Sequence, residues 1–314
     1  MSREIRRALR RRGHNLVALA AEHFPETIAS TQASLLSHID VSGYNDQGPP
    51  SLSAIQSQAC SAAQIREPAY RAWVDRLGQQ RRFHRKQWEY VIALEAARQS
   101  GVLLPGRSAL GFGVGTEPIP AMLAAMGLDV LATDQAVEDA GHWAEYQEHA
   151  SSLEALQWPG ICDPVAMRAR VRFRQVDMNA IPNDLGSHDL IWSSCAMEHL
   201  GSPQAGFDFV FRSLDLLRPG GLAVHTTEFD LTPGEAAVDY GHCALYRLVD
   251  LERLRDEALV RGFTMHINPY VAFEHPADRA IAPRGTTGKE EFHLKLALFD
   301  SVSTSFAIVI RRPE

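Results

Sequence analysis

The 314-residue sequence predicts a doubly wound α/β fold: a mostly parallel sheet covered by helices on both faces, behind a helical amino-terminal region. From residue 108 onward, short β-rich apolar runs alternate with helical patterns. A glycine-rich turn, GFGVGTEPIP from Gly111, follows the first of those runs directly. The first hundred residues show helical patterns without that alternation.

In chain order, residues 14–38 are helical in composition, with Leu16, Leu19 and Ala20 recurring at helical spacing. The segment VSGYNDQGPPSLSAIQSQ, from Val41, is rich in Gly, Pro, Ser and Gln and reads as a linker over about residues 41–63. Helices are predicted over 70–77 and 87–98, before Leu104-Pro105-Gly106 breaks the pattern. A strand at 108–111, a helix at 119–126 and a strand at 129–133, ending at Asp134, come next. A polar helix is expected over 137–156 and strands at 171–176 and 188–193. Then come a helix at 204–217, a strand at 222–226, a charged helix at 249–261 and a strand at 263–267. The β-branched run 305–310 reads as a buried strand. The boundary falls near residue 100, giving a helical region 1–100 and a sheet domain 101–314 with an insertion at about 269–300.

Composition narrows the partners. Hydrophobic content of 45% and charged content of 22% describe an ordinary globular chain with a sizeable core. A net charge of −7 argues against a duplex nucleic-acid partner. No apolar run approaches the roughly 20 residues of a membrane span, and the start lacks the apolar core of a secretory signal. Cys60, Cys162, Cys195 and Cys243 show no CxxC spacing, which argues against a zinc site or a disulfide framework and fits a reducing, cytoplasmic setting. Six arginines among the first twelve residues are a local exception, suited either to an anionic partner or to a solvated helix face.

Alternating glycines after a parallel strand let the backbone turn sharply and approach a ligand where a Cβ would clash. A dinucleotide loop follows G-x-G-x-x-G, whereas Gly111, Gly113 and Gly115 give G-x-G-x-G with Thr116 at the position of the third glycine. A purely structural turn is the plainer alternative. Asp134 ends the second strand, where a carboxylate can accept both hydroxyls of a ribose. Asp177 and Met178 end the third, the fourth runs DLIWSSCAMEHL, and LRPGG from Leu217 precedes the fifth.

Taken together in this order, these features make residues 105–314 resemble the class I S-adenosylmethionine-dependent methyltransferases. The resemblance implies a Rossmann-like, seven-stranded sheet with a C-terminal antiparallel strand, and S-adenosylmethionine as cofactor. It assigns cofactor contacts to Gly111, Phe112, Gly113 and Gly115, to Asp134 and Gln135 at the ribose, to Asp177 and Met178 at the adenine, and to Ser194. The family often carries an acid two residues before the first glycine, where this chain has Ala109. Glu117 is the candidate to supply that carboxylate for the cofactor's amino group.

Methyl transfer is a displacement at an activated sulfonium carbon, so alignment is the main task, worth roughly 7–11 kcal/mol. An alcohol acceptor also needs a base, which contributes on the order of 10²–10⁴-fold. Glu198 and His199, just past the fourth strand, match a Glu-His pair common in small-molecule methyltransferases, as a base or as a brace. His225 is the third catalytic candidate, and Glu228 and His293 are the substrate candidates. His199, His225, Glu228, Asp230 and His242 are metal-ligand types, but no pair has tight ligand spacing, so the site is expected to work without metal. The insertion, with His275, Arg279, Arg284, Lys289 and His293, reads as a lid, a substrate contact or a surface loop. Trp88 and Tyr90 either cover the cofactor or join the core.

The turn Ser193-Ser194-Cys195-Ala196 lacks the residues that grip a flipped base, and no Pro-Cys pair or double-glutamate loop is present. A small or sugar-like acceptor is therefore expected, with a hydroxyl preferred because histidines gather at the rim and an amine as the alternative. A nicotinamide oxidoreductase and a cofactor-binding protein without turnover stay open.

Overall fold

The computed structural model describes residue 39 and residues 47–136, 149–283 and 291–314. The arginine-rich start, the expected helix over 14–38, residues 137–148 of the polar helix, and Arg284 and Lys289 lie outside the described residues.

Along the described chain, β1 (Ser57–Ala59), α1 (Ala62–Ile65), α2 (Pro68–Arg76), β2 (Phe83–His84) and α3 (Arg85–Gln99) precede the glycine turn. The alternating part runs β3 (Ser108–Phe112), α4 (Ile119–Ala125), β4 (Asp129–Asp134), α5 (Pro164–Arg170), β5 (Val171–Gln175), β6 (His188–Ser194), α6 (Pro203–Leu214) and β7 (Leu217–Asp230). Next come β8 (Val238–Asp239), β9 (Ala244–Leu245), α7 (Leu248–Val260), β10 (Thr264–Met265) and β11 (Ile267–Asn268). The chain closes with β12 (Ile281–Pro283), β13 (Phe292–His293), β14 (Lys295–Leu298) and β15 (Ser301–Arg311).

Local chemistry starts the helices that frame the cleft. The His84 ring accepts from the Lys86 amide at the start of α3, and Ser202 Oγ accepts from the Ala205 amide at the start of α6. Such side-chain acceptors satisfy amides that a helix leaves open at its first turn.

Among the described residues, eleven strands form one sheet with the central order β11-β1-β15-β7-β6-β3-β4-β5. Strands β3 to β7 pair in parallel, and β15 runs antiparallel against β7 from Arg311↔Leu222 to Ser303↔Asp230. The doubly wound, mostly parallel sheet and its C-terminal antiparallel strand are as the sequence predicts. The strand count is larger because segments read as linker and insertion add β1, β12 and β14, and the strand expected at 263–267 divides to give β11 as well.

Strand β1 lies within the expected linker, between β15 and β11, with Ser57, Gln58 and Ala59 all buried. Polar residues in a paired strand carry no hydrophobic alternation, so the Ser/Gln-rich segment hides its strand. The strand expected at 263–267 divides at His266, β10 pairing with β15 and β11 with β1. Of the polar helix, the described part has no regular structure at 149–152 and then forms a short 3₁₀ turn at Leu153–Leu156.

Residues 50–100 belong to the same core as the sheet. Trp88, Val91 and Ile92 of α3 pack in one apolar cluster with Ala109, Trp192 and Val224. The opposite face holds Phe112, Ile191 and Ala223 with Phe209, Val210 and Leu254. No helix of the described residues is long and apolar enough to cross a membrane. All four cysteines are free.

Candidate functional site

Strand order reverses at β3: β4 and β5 lie on one side, and the chain then crosses to place β6 and β7 on the other. In open α/β sheets the crevice outside the carboxyl ends at such a switch point is where ligands bind. A cleft of about 330 Å³ lies there. Four consecutive strand ends supply its walls: Gly113–Glu117 after β3, Asp134 and Gln135 after β4, Val176–Asn179 after β5, and Ser194–Ala196 with His199 and Leu200 after β6. Lys86 and Tyr90 of α3 and His149 complete it.

The glycine turn is built for close approach. Gly113 and Gly115 take positive φ, +56° and +50°, which only glycine adopts without strain. A Cβ on Gly113 would stand 2.9 Å from the Ala196 Cβ, across the cleft from its own strand. Gly111 serves packing instead: a Cβ there would meet the Trp192 ring. The side chain of Phe112 turns to the opposite face and packs edge-on against Phe209, so neither of these residues lines the cleft.

Asp134 braces this turn. Its carboxylate accepts from the amides of Gly115 (3.0 Å), Gln135 (2.9 Å) and Ala150 (3.0 Å), while burial raises its pKa. Asp177 is exposed at the far wall, its carboxylate accepting from the Asn179 amide at 2.8 Å.

Glu117 is the most unusual group in the cleft. It is only 5% exposed, and its carboxylate accepts from Trp192 Nε1 at 2.5 Å and from the Ser194 side chain. Burial outweighs those bonds and pushes its pKa up to about 7. Glu117 also sits directly before Pro118 at the N-terminal end of α4. Lys86 Nζ donates to the carbonyl of the same Ser194 at 3.3 Å and pairs with Glu89 at 3.0 Å. Burial opposes the lysine's charge, but the neighbouring carboxylate outweighs it and keeps the ammonium protonated.

Behind the β6 end lies a buried polar cluster. Arg85 pairs with Glu228 at 2.5 Å and lies 3.6 Å from Glu89, and Glu228 also accepts from Ser303 Oγ at 2.6 Å. Cys195, held in left-handed backbone at φ 51°, directs Sγ to Glu89 at 3.1 Å. Glu198 accepts from Thr227 Oγ1 at 3.1 Å, and burial together with the Glu228 charge pushes its pKa up to about 8. Cys195, Glu198 and Glu228 offer ligand atoms within 4.8 Å of one another, but Arg85 already balances the charge there.

Of the residues named from the sequence, Gly113, Gly115, Glu117, Asp134, Gln135, Asp177, Met178, Ser194 and His199 come together in the cleft. Six do not reach it: Gly111 and Phe112, described above, and His225, Glu228, Glu198 and His293. His225 is fully buried under α6, bonded to Ser193 and Ser213 and packed on Phe209, and burial holds its pKa down to about 3. Strand alternation puts it on the face opposite Thr226, so its place is the core. Glu228 is spent on Arg85 and Ser303, and Glu198 stands one layer behind His199. His293 stacks on His84 with ring centroids 4.4 Å apart, where β13 pairs with β2.

The supposed metal group does not assemble as a set. Asp230 pairs with Arg247, and His242 contributes its backbone carbonyl to His199 Nδ1 at 2.8 Å. Trp88 is core, and Tyr90 lines the cleft. Lys86, Cys195 and His149 are cleft residues that sequence reasoning missed.

No family model matches the chain, and no curated protein matches it. Solved structures resemble it remotely. Phospholethanolamine N-methyltransferase 2 of Haemonchus contortus matches 80% of this chain and 57% of its own at 15% identity, with a TM-score of 0.45. The 1,6-didemethyltoxoflavin-N1-methyltransferase of Burkholderia thailandensis matches 78% of this chain and 82% of its own at 14% identity, TM-score 0.41. The CcbJ methyltransferase of Streptomyces caelestis matches 69% and 93% at 16% identity, TM-score 0.39. At such distances no activity passes from them to this chain, and function is read from the cleft.

Proposed function

We propose that the cleft binds S-adenosylmethionine and that the protein transfers its methyl group to a small-molecule acceptor. The observation that carries this reading is Glu117. A dinucleotide would set its pyrophosphate at the N-terminus of the helix after the glycine loop, where open amides and the helix dipole favour anions. Here that place holds a buried carboxylate, and Pro118 and Pro120 remove two amides. An acid there repels phosphate and suits the ammonium of the cofactor's amino-acid end.

The remaining walls fit the same ligand. Lys86, which shares Ser194 with Glu117, offers its positive charge to the cofactor's carboxylate. Asp134, at the end of β4, is the acid for the ribose hydroxyls, and Asp177 and Met178 flank the adenine. The cofactor brings the activated methyl carbon, and the protein's task is to align an acceptor against it. With His225 and His293 outside the cleft, the crowd of histidines that favoured a hydroxyl acceptor reduces to His199 and His149.

Calorimetric titration with S-adenosylhomocysteine and, separately, NADH tests the reading. Micromolar binding of the former alone is expected. Binding of NADH in preference, or of neither, overturns it.

A further inference from the structure

Beyond the end of β4, donors and acceptors do not balance for a ribose held by Asp134 alone. A carboxylate offers about four lone pairs on its two oxygens. Oδ2 of Asp134 already accepts from the amides of Gly115 and Ala150, each at 3.0 Å. Oδ1 accepts from the Gln135 amide at 2.9 Å. Room remains for one further donor, on Oδ1. A ribose brings two neighbouring hydroxyls, so the second needs another partner.

His149 lines the cleft beside Asp134. Its Nε2 lies 2.9 Å from the Gln135 carbonyl. A carbonyl oxygen only accepts, so Nε2 carries the hydrogen of that bond. Nδ1 has no hydrogen-bond partner among the described residues. Backbone bonds fix where the ring stands: the Gln135 N–H goes to Asp134 and the Gln135 carbonyl to His149, while the next residue, Ala150, is tied to Asp134 as well. Carboxylate and imidazole therefore flank the same short stretch of chain. A neutral ring accepts a hydroxyl proton at Nδ1, and a protonated ring donates there to the hydroxyl oxygen, so the contact survives either charge state.

Building on the cofactor reading above, we infer that the cofactor's ribose is shared between two side chains: Asp134 accepts one hydroxyl through Oδ1, and His149 Nδ1 bonds the other. His149 is then a specificity-determining residue that asks for an intact ribose. The Gln135 side chain, which also lines the cleft, is the rival for the second hydroxyl.

Calorimetry with S-adenosylhomocysteine and its 2′-deoxy and 3′-deoxy forms tests this, on the intact protein and on His149→Gln. Glutamine keeps an N–H able to reach the Gln135 carbonyl and puts nothing at the position of Nδ1. The intact protein is expected to bind each deoxy form about three- to tenfold more weakly than the parent, the loss of one hydrogen bond. In His149→Gln the parent should weaken by a similar factor. One deoxy form should then bind as tightly as the parent, while the other keeps its penalty. The form that loses its penalty is the one whose missing hydroxyl faced His149. Should His149→Gln fail to fold, His149→Ala is expected to give the same pattern. A variant that keeps both penalties, as it would if Gln135 held the second hydroxyl, or one that loses both, overturns the shared ribose. So does an intact protein that shows fewer than two penalties. Failure of the intact protein to bind S-adenosylhomocysteine itself would instead overturn the cofactor reading.

Discussion

The two sides of the cleft are made differently. The side formed by the ends of β3, β4 and β5 is built from short, consecutive stretches of chain and from backbone: positive-φ glycines, and an aspartate braced by three amides. The side formed by α3 and the end of β6 is backed by long side chains of a buried cluster, with Arg85, Glu89, Glu198, Glu228 and Ser303 meeting from across more than two hundred residues of sequence. Under the proposed function the first would hold the cofactor, and the second would back the place where an acceptor enters. Backbone sites tolerate little change in shape, and ionic sites little change in charge.

Breaking the ionic side should have the larger effect. Arg85→Met leaves Glu228 buried without its cation, so about 3–5 kcal/mol of stability should be lost, read by denaturant unfolding. A loss under about 1 kcal/mol would mean that water reaches Glu228 and that the cluster is not the closed network described here. The backbone side should respond less in stability. Gly111→Ala forces a methyl into the Trp192 ring and Val114, costing roughly 1–3 kcal/mol as an overpacking strain. Because Trp192 also holds Glu117, cofactor affinity should fall with it. An unchanged melting temperature and affinity would show that the ring moves aside freely.

The same contrast explains how far the sequence could be read. The glycine turn, Asp134, Asp177 and Ser194 were legible because each sits within a few residues of a strand whose pattern is local, and the cleft gathers them. Glu117 was legible as the acid displaced from the usual position, its burial against Trp192 less so. Lys86 and Arg85 were not, since nothing near them in the chain says that α3 lies over the β6 end. His225 misled because its neighbour Thr226 bonds Cys195 of the cleft wall: a one-residue step along a strand reverses the face. His293 misled for another reason, since its partner, His84, lies more than two hundred residues earlier. Strand β1 was hidden by its Ser and Gln residues, which satisfy backbone-rich surroundings rather than an apolar face.

The claim on which the account turns is that Glu117 holds a cationic ligand end. Burial raises its pKa from 4.5 to about 7, so the folded protein keeps a proton there that the unfolded chain loses between those values. Its contribution to unliganded stability therefore falls as pH rises through that window. Ligand binding has the opposite slope, because only the ionised carboxylate attracts an ammonium. The most direct test is calorimetry with S-adenosylhomocysteine from about pH 6 to about pH 8, on the intact protein and on Glu117→Gln. The account predicts affinity that strengthens as pH rises through about 7 in the intact protein, and weaker affinity without that slope in the variant. Equal, pH-independent affinities in the two proteins would contradict it and leave the glycine turn as a bend in the chain.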